Sequence, residues 1–210
     1  MIAWAVYDLM NNLADHIAGI ILAAGEGKRI GKNKALLEIE GVSFLEKVFV
    51  PLKNTSCNPV IVVGGSESDK VKAEAGRLGA DFVLNEKWPA GQFSSLKAGL
   101  RKLGQHTEGV IIALVDHPLV NAKTYVMLLE EFLEHGDKII LPIYAGRRGH
   151  PIIIPSDIIE EIKSAPDNSI LKDIIFNHAD KIYEIVVEDP GILKDIDTNS
   201  DLERMSGVWP

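Results

Sequence analysis

Short apolar runs bounded by turn-forming residues recur along the chain and alternate with stretches of helical period. Most of these runs are apolar throughout, which is typical of strands that are buried on both faces of a sheet. The predicted strands lie at 19–23, 60–63, 82–84, 110–114, 139–141, 152–154 and 183–187. The predicted helices lie at 43–50, 69–78, 94–103, 121–135, 156–163, 169–177 and 200–205.

Two of the predicted helices carry signals at their ends. The tetrapeptide Ser-Asp-Leu-Glu that starts at Ser200 matches a capping box, in which Ser200 and Glu203 satisfy free backbone N–H groups. Pro51 should end or kink the first helix, because proline has no N–H and clashes with the preceding turn.

Strands that are buried on both faces and alternate with helices predict a three-layer α/β sandwich: a mostly parallel, twisted sheet with helices on both faces. We expect one domain over 17–205, since no linker or repeat divides the chain. An extension at 1–16 precedes it, and its amphipathic pattern fits either a docked helix or a start codon placed too early. In such sheets, ligands bind beyond the carboxyl ends of the strands.

The composition of the chain excludes several kinds of partner and site. The 210 residues include 22 Lys and Arg against 30 Asp and Glu, a formal net charge of −8, so we expect no nucleic-acid partner. The single cysteine, Cys57, excludes an intrachain disulfide and a cysteine-based zinc site. No apolar window reaches the ~18 residues of a membrane span. The first positive charge is Lys28, so the start lacks the basic region of a signal peptide, and we expect a cytoplasmic protein without a membrane partner.

The loop after the first predicted strand combines glycines with cations. Gly25, Gly27 and Gly31 allow sharp turns and bring backbone N–H groups to an anion, while Arg29 and Lys34 supply positive charge. The spacing G-x-G-x-x-x-G excludes the dinucleotide fingerprint, and the glycine and lysine spacing excludes a Walker A loop. The alternative is an ordinary glycine-rich turn with solvated lysines.

Other loops at strand ends also carry residues that could bind a metal ion or an anion. Asp116 follows the fourth strand, and Asp197 lies near the end of the chain; two such carboxylates suit Mg²⁺ shared with substrate phosphates. Asp116 could instead cap the next helix, and we expect Asp195 to have a supporting or surface role. Ser94 and Ser95 begin a helix and offer hydroxyl and N–H groups to an anion, although Ser94 could simply be a helix cap.

A basic turn lies between two late strands. The segment Arg-Arg-Gly-His-Pro that starts at Arg147 predicts a hairpin or arch tip, with His150 held before Pro151. The two arginines place positive charge at this tip. The alternative is a solvated basic turn.

Taken in order, these motifs resemble one group of enzymes. L-A-A-G-x-G-x-R with Lys34, N-x-x-W before Ser-Ser, D-x-P, R-R-G-H-P and D-I-D-T are similar to the molybdenum cofactor cytidylyltransferases and related MobA-like small nucleotidyltransferases, over about 17–203. The family often has Met at Ile30, Gln at His117 and a small or Met/Leu pair at Gln92 and Phe93. The resemblance implies a Rossmann-like nucleotidyltransferase fold.

The resemblance also implies roles for the residues. Arg29 would contact the outer phosphates and Lys34 the α-phosphate, while Asp116 and Asp197 would hold Mg²⁺ or Mn²⁺. The implied nucleotide-binding residues are Leu22, Ala23, Ala24, Gly25, Gly27, Gly31, Lys34, Ser94 and Ser95. The implied acceptor-binding residues are Trp88, Arg147, Arg148 and His150.

The implied reaction moves CMP from CTP to the terminal phosphate of the molybdenum-bearing pterin and releases pyrophosphate, with a molybdoenzyme apoprotein as a further partner. Two alternatives stay open. One is a guanylyltransferase, or another nucleotidyltransferase acting on a different phosphorylated acceptor such as a sugar or polyol phosphate. The other is a cofactor-binding chaperone without catalytic activity.

Overall fold

A central sheet with helices on both faces organises the computed structural model, which describes residues 16–206. The strands are β1 Ile17–Ala23, β2 Glu38–Ile39, β3 Val42–Ser43, β4 Val60–Gly64, β5 Asp81–Leu84, β6 Gly109–Leu114, β7 Ile139–Tyr144, β8 Arg147–Arg148, β9 Ile152–Pro155 and β10 Ile182–Val186. The helices are α1 Phe44–Lys53, α2 Ser68–Leu78, α3 Gln92–Leu100, α4 Ala122–Glu134, α5 Ser156–Ser164, α6 Leu171–Asn177 and α7 Asn199–Ser206.

The main sheet has the order β10-β7-β9-β6-β1-β4-β5, with β8 paired to β7, while β2 and β3 form a separate hairpin. The pairs β1–β4, β1–β6, β4–β5 and β7–β10 are parallel. Only β8 and β9 run against their neighbours in this sheet, so the predicted mostly parallel sheet is confirmed. As a result, the loops after β1, β4 and β6 meet at one edge.

Alternate residues of β1 enter different hydrophobic layers. Ile17 and Ile21 pack in the layer that contains the buried faces of α1, α2 and α4. Ala18, Ile20 and Leu22 pack in the layer that contains α3 and α5. Because side chains alternate between the faces of a strand, this division confirms the predicted three-layer sandwich.

Two helix ends differ from the predictions. The first helix continues through Pro51 to Lys53, because Phe49 and Leu52 in its last turn are buried in the core. The capping box at the start of α7 is formed by Thr198 and Asp201 instead of Ser200 and Glu203. The Asp201 carboxylate accepts the Thr198 N–H at 2.8 Å, and Thr198 Oγ1 accepts the Asp201 N–H at 3.2 Å.

The predicted extension at 1–16 lies outside the described residues apart from His16, so the division of the chain at residue 17 stays a prediction. Within 16–206, none of the helices combines the length and the apolar character needed to cross a membrane.

Gly109 lies where β6 meets the ring of Phe132 on α4. A Cβ at Gly109 would be 2.4 Å from Phe132 Cε1, so Gly109→Ala should overpack this contact and lower the free energy of unfolding by about 1–3 kcal/mol. Urea unfolding measures the change. Gly104→Ala is the matched control, because nothing lies within 4 Å of a Cβ at that site. Adding Phe132→Leu to Gly109→Ala should recover part of the loss; an unchanged loss would contradict this account.

Candidate active site

The loop after β1 turns at Gly27 and is held at Asn33. Gly27 has φ +63°, and a Cβ there would lie 1.9 Å from the Lys32 carbonyl oxygen, so the turn requires glycine. The buried Asn33 donates from Nδ2 to the Ser66 carbonyl at 2.8 Å and accepts the Ala35 N–H at 2.9 Å. Asn33 thereby fixes the backbone on both sides of Lys34. The role of Asn33 was not predictable from the sequence, because its partner Ser66 is 33 positions away.

The Lys34 ammonium lies between two carboxylates. Lys34 Nζ donates to Asp116 Oδ2 at 2.9 Å and also to Asp197 Oδ1. Arg29 Nη1 donates to Asp197 Oδ2 at 2.9 Å. The structure therefore brings together the four residues that were predicted to be catalytic, from three separate segments of the chain.

The charges of this cluster stabilise one another. Burial would lower the pKa of Lys34, but the hydrogen bonds and charges of Asp197 and Asp116 outweigh it, and the net shift is upward. The hydrogen bond from Lys34 lowers the pKa of Asp197, with the Lys34 and Arg29 charges adding to the effect. The Lys34 side chain is only 16% exposed, whereas the Arg29 side chain is 72% exposed. The ion pair between Arg29 and Asp197 is therefore screened by solvent and contributes little to stability.

Backbone contacts place Asp197 beside Asp116. The Ile196 N–H donates to the Asp116 carbonyl at 2.9 Å, and the Asp201 carboxylate accepts the Asp197 N–H at 3.2 Å. Asp195 is exposed, in keeping with the expected surface role. The sequence analysis missed Asp201; its signal was the Thr-x-x-Asp spacing from Thr198.

A cavity of about 380 Å³ lies between the glycine loop and the start of α3. Its lining includes six of the residues predicted to bind nucleotide: Leu22, Ala24, Gly25, Gly27, Lys34 and Ser95. Asp116 and Trp88 also line it. Trp88 therefore lies with the glycine loop and not with Arg148 and His150, contrary to its predicted grouping.

Three other residues predicted to bind nucleotide lie outside the lining of this cavity. Ala23 is buried in the core at the end of β1, and Gly31 turns the exposed part of the loop with φ +77°. Ser94 is engaged by the protein itself: its hydroxyl is within hydrogen-bond distance of the Lys87 and Gly91 carbonyls and accepts from Asn85 Nδ2. Ser94 therefore has a structural role, but it is not the helix cap that was the alternative, because the helix begins at Gln92 with Gly91 as its cap.

A larger cavity of about 910 Å³ shares Leu22, Gly91 and Gln92 with the smaller one. Arg148 and His150, two of the residues predicted to bind the acceptor, both line it. Arg148 also forms an ion pair with Glu184 of β10. Arg147 is exposed and lies outside the linings of both cavities, because successive residues of β8 point to opposite faces.

Two histidines lie beside Asp116. The ring centroids of His117 and His150 are 5.8 Å apart, and among residues 16–206 neither Nδ1 atom has a hydrogen-bond partner. Burial, reinforced by His117, lowers the pKa of His150 to about 4. The His150 ring is therefore neutral at pH 7. This pair was not predicted from the sequence.

Asp116 and Asp197 fit a hard divalent cation. Both carboxylates contact the same ammonium, so both face one point, and oxygen ligands are those that Mg²⁺ and Mn²⁺ prefer. Two carboxylates leave coordination positions for phosphate oxygens and water, which is the usual arrangement for Mg²⁺ with a nucleotide.

The fold and this cluster together define an α/β domain with a charged cluster at the carboxyl ends of its strands, the edge at which such sheets bind ligands. Residues 19–182 match the MobA-like NTP transferase domain, and the chain belongs to that family.

Named relatives have different activities. The chain is 27% identical over 199 residues to nicotine blue oxidoreductase of Paenarthrobacter nicotinovorans, covering 90% of this chain and 96% of the relative. It is 25% identical over 187 residues to the molybdenum cofactor cytidylyltransferase of Escherichia coli, covering 87% and 91%. A Mycobacterium tuberculosis protein solved in complex with manganese has the same fold, with a TM-score of 0.73, 22% identity and coverage of 92% and 99%.

Lys34→Met should leave Asp116 and Asp197 repelling each other. We expect the free energy of unfolding to fall by about 1.5–3 kcal/mol at pH 7, the scale of a lost hydrogen bond to a charged group. In the wild type, the pKa of Asp197 is lower in the folded state than in the unfolded state. This difference adds to the free energy of unfolding above the unfolded-state pKa, and the contribution is lost as the pH falls through the folded-state pKa. In the variant, the carboxylates take up protons as acid is added. The deficit of the variant, which is its loss of unfolding free energy relative to the wild type, should therefore shrink between pH 7 and about pH 3.5.

Urea unfolding at both pH values measures this deficit. Lys163→Met is the control, because the Lys163 pair with Glu160 lies on a helix surface and should be worth about 0.5 kcal/mol or less. A deficit in Lys34→Met that does not change with pH would contradict the assignment.

Proposed function

We propose that this chain is a cytidylyltransferase that moves CMP from CTP to the terminal phosphate of a molybdenum-bearing pterin in the cytoplasm. The observation that carries the proposal is the Lys34 ammonium held between Asp116 and Asp197 at the glycine-loop cavity. Membership of the MobA-like NTP transferase family supports the reaction class. The Escherichia coli relative supports the choice of CTP and of the acceptor.

The smaller cavity would hold the triphosphate of CTP. Nothing lies within 4 Å of a Cβ at Gly25, so a phosphate can approach the backbone there. Lys34 would donate to the α-phosphate, and Arg29, which is mostly exposed, would turn toward the outer phosphates. Trp88 lines the same cavity, so we now place it beside the nucleotide.

The acceptor would enter from the larger cavity. Because the two cavities share Leu22, Gly91 and Gln92, an acceptor phosphate can reach the α-phosphorus without leaving the protein. A phosphate oxygen of the acceptor attacks the α-phosphorus, the new P–O bond forms as the bond to the β-phosphate oxygen breaks, and pyrophosphate leaves. The chain positions the two anions and neutralises their charge, with no covalent intermediate.

Asp116 and Asp197 would hold Mg²⁺ or Mn²⁺ in this reaction. The bound cation would supply positive charge to the phosphate oxygens. Lys34, which is shared between the same carboxylates, would then orient them as well as contact the nucleotide.

A second candidate is suggested by a relative of a different class. Nicotine blue oxidoreductase is 27% identical to this chain over almost its whole length. The name of that relative describes a redox reaction, so this chain could use the same cavities for an aromatic redox substrate. A fold alone does not separate the two chemistries.

The deciding experiment is a pyrophosphate-release assay with Mg²⁺ and each of CTP, GTP, ATP and UTP, with and without molybdopterin. We expect release only with the acceptor, and a kcat/KM for CTP about 10- to 200-fold above that for GTP, because Ala24 places a methyl group on the cavity. A preference for GTP would favour the guanylyl alternative without affecting the reaction class. Tight binding without pyrophosphate would favour the chaperone. Oxidation of a reduced nicotinamide nucleotide by an aromatic acceptor would favour the oxidoreductase.

Asp116→Asn and Asp197→Asn should each lower turnover by about 10²-fold or more, because each removes a charge from the cation site. Initial rates at saturating CTP and Mg²⁺ measure the effect, and a chelator should abolish the wild-type rate. Asp195→Asn is the matched control, since this exposed carboxylate lies two residues from Asp197. Near-native rates in both variants, with unchanged thermal unfolding, would show that the carboxylates do not hold the cation.

A further inference from the structure

The three-residue turn between β4 and α2, which starts at Gly65, packs against the glycine loop. The Ser66 N–H donates to the Ala24 carbonyl at 3.2 Å, and the Ser66 carbonyl accepts from Asn33 Nδ2 at 2.8 Å. A Cβ at Gly65 would lie 2.8 Å from the Ala24 carbonyl oxygen and 2.6 Å from Trp88 Cβ, so the turn fits closely between the two. The position of the glycine loop therefore depends on this turn.

Glu67, the last residue of the turn, departs from two local preferences. Its backbone is left-handed, with φ +49° and ψ +38°, which is unfavourable for a residue that has a Cβ. Glu67 is also the N-cap of α2, where a short polar side chain normally accepts an N–H of the first turn, yet its side chain makes no such bond. Local structure therefore explains neither the residue nor its conformation.

Two other residues share the left-handed backbone, but their positions account for it. Glu40 and Ala145 have φ +56° and +48°, and each is followed by a left-handed glycine. Both pairs form two-residue hairpin turns, between β2 and β3 and between β7 and β8, in which a left-handed backbone is the normal one. Glu67 does not lie in a hairpin turn, so its conformation needs another reason.

The Glu67 carboxylate makes its contacts away from the N–H groups of α2. Oε2 accepts the Asn33 backbone N–H at 3.1 Å, 34 positions away, and Oε1 accepts from Lys70 Nζ at 2.5 Å. A hydrogen bond to a carboxylate is stronger than one between neutral groups. Unfavourable backbone conformations persist where surrounding contacts hold them, and they cluster at functional sites. The contact that accompanies this one is to the residue directly before Lys34.

We propose that Glu67 is a positioning residue of the candidate active site: its carboxylate holds the Asn33 backbone and thereby fixes where Lys34 leaves the glycine loop. Glu67 is absent from the linings of both cavities, so it acts through Asn33 and not on a ligand. The inference rests on the proposed function in one respect, since it takes the position of Lys34 to determine turnover.

Three substitutions separate positioning from stability. Glu67→Gln keeps an oxygen that can accept the Asn33 N–H, whereas Glu67→Ala and Glu67→Gly keep none. Glycine adopts the left-handed backbone without a steric cost, so Glu67→Gly should unfold about 2–4 °C above Glu67→Ala. These two variants therefore differ in stability but share the loss of the carboxylate.

The pyrophosphate assay measures the effect on turnover. We expect kcat/KM for CTP to fall about tenfold in both Glu67→Ala and Glu67→Gly, because a displaced Lys34 stabilises the transition state less. Glu67→Gln should lose about threefold, and the KM for the acceptor should not change in any of the three. A purely structural role predicts instead that Glu67→Gly, the more stable of the two, recovers activity.

Amide hydrogen exchange tests the contact without any substrate. Peptides that cover 27–36 should exchange at least about threefold faster in Glu67→Ala and Glu67→Gly than in the wild type, and at an intermediate rate in Glu67→Gln. Exchange in α2 should not change, because the Glu67 side chain caps none of its N–H groups. This pattern distinguishes a residue that holds the glycine loop from one that stabilises the helix it precedes.

Glu40→Ala and Glu40→Gly are the matched controls, because Glu40 is also a left-handed glutamate but lies exposed at the tip of the β2–β3 hairpin. This pair should show a similar difference in thermal unfolding, with no change in turnover or in exchange at 27–36. Lys70→Met removes the other partner of Glu67 and should likewise leave turnover and exchange at 27–36 unchanged.

Unchanged exchange at 27–36 in Glu67→Ala would overturn the inference. So would the recovery of activity in Glu67→Gly, or a loss in Glu67→Gln as large as that in Glu67→Ala. If the wild type releases no pyrophosphate with any nucleotide, the proposed function fails, and exchange at 27–36 alone then decides whether Glu67 holds the loop. The two failures are therefore distinguishable.

Discussion

The ion pairs of Lys34 with Asp116 and Asp197 are the constraint on which the rest of the site depends. The three residues come from segments that are 82 and 163 positions apart along the chain. Without the ammonium, two carboxylates would face one another in a partly buried place, at a cost that neighbouring surface charges could not offset. The hydrogen bond from Ile196 to the Asp116 carbonyl keeps the two segments together, so the cluster also ties the end of the chain to the centre of the sheet.

The reversed strand β9 explains why a second cavity lies beside this cluster. β9 runs antiparallel to β6, with Ile152 opposite Ile112, so β9 begins at the edge where β6 ends. His150, just before β9, therefore arrives beside His117 and Asp116. If this strand were parallel to β6, its start and His150 would lie at the opposite edge, away from Asp116.

The two cavities differ in chemistry because different parts of the chain line them. The glycine loop, Lys34 and Asp116 line the smaller one, whereas aliphatic strand residues, His150 and the mostly polar segment 167–173 line the larger one. The relatives of this chain include a cytidylyltransferase and an oxidoreductase, so sequence similarity at this level is compatible with different chemistry. The fold by itself therefore does not fix the reaction.

The sequence by itself determined the layers and the charged centre. Runs that are apolar on both faces, such as 110–114, can only be stable inside a covered sheet, and the spacing of the glycines, Lys34, Asp116 and Asp197 marked the strand-end loops. The layers were predictable because they depend on neighbours within a few residues, and the charged loops because loops at the carboxyl ends of parallel strands share one edge of the sheet. The tertiary structure alone decided the extension of α1 through Pro51, the internal bonds of Ser94, the position of Trp88 beside the glycine loop and the pairing of His117 with His150. Each of these depends on a contact between distant segments, and local periodicity carries no information about which segments meet.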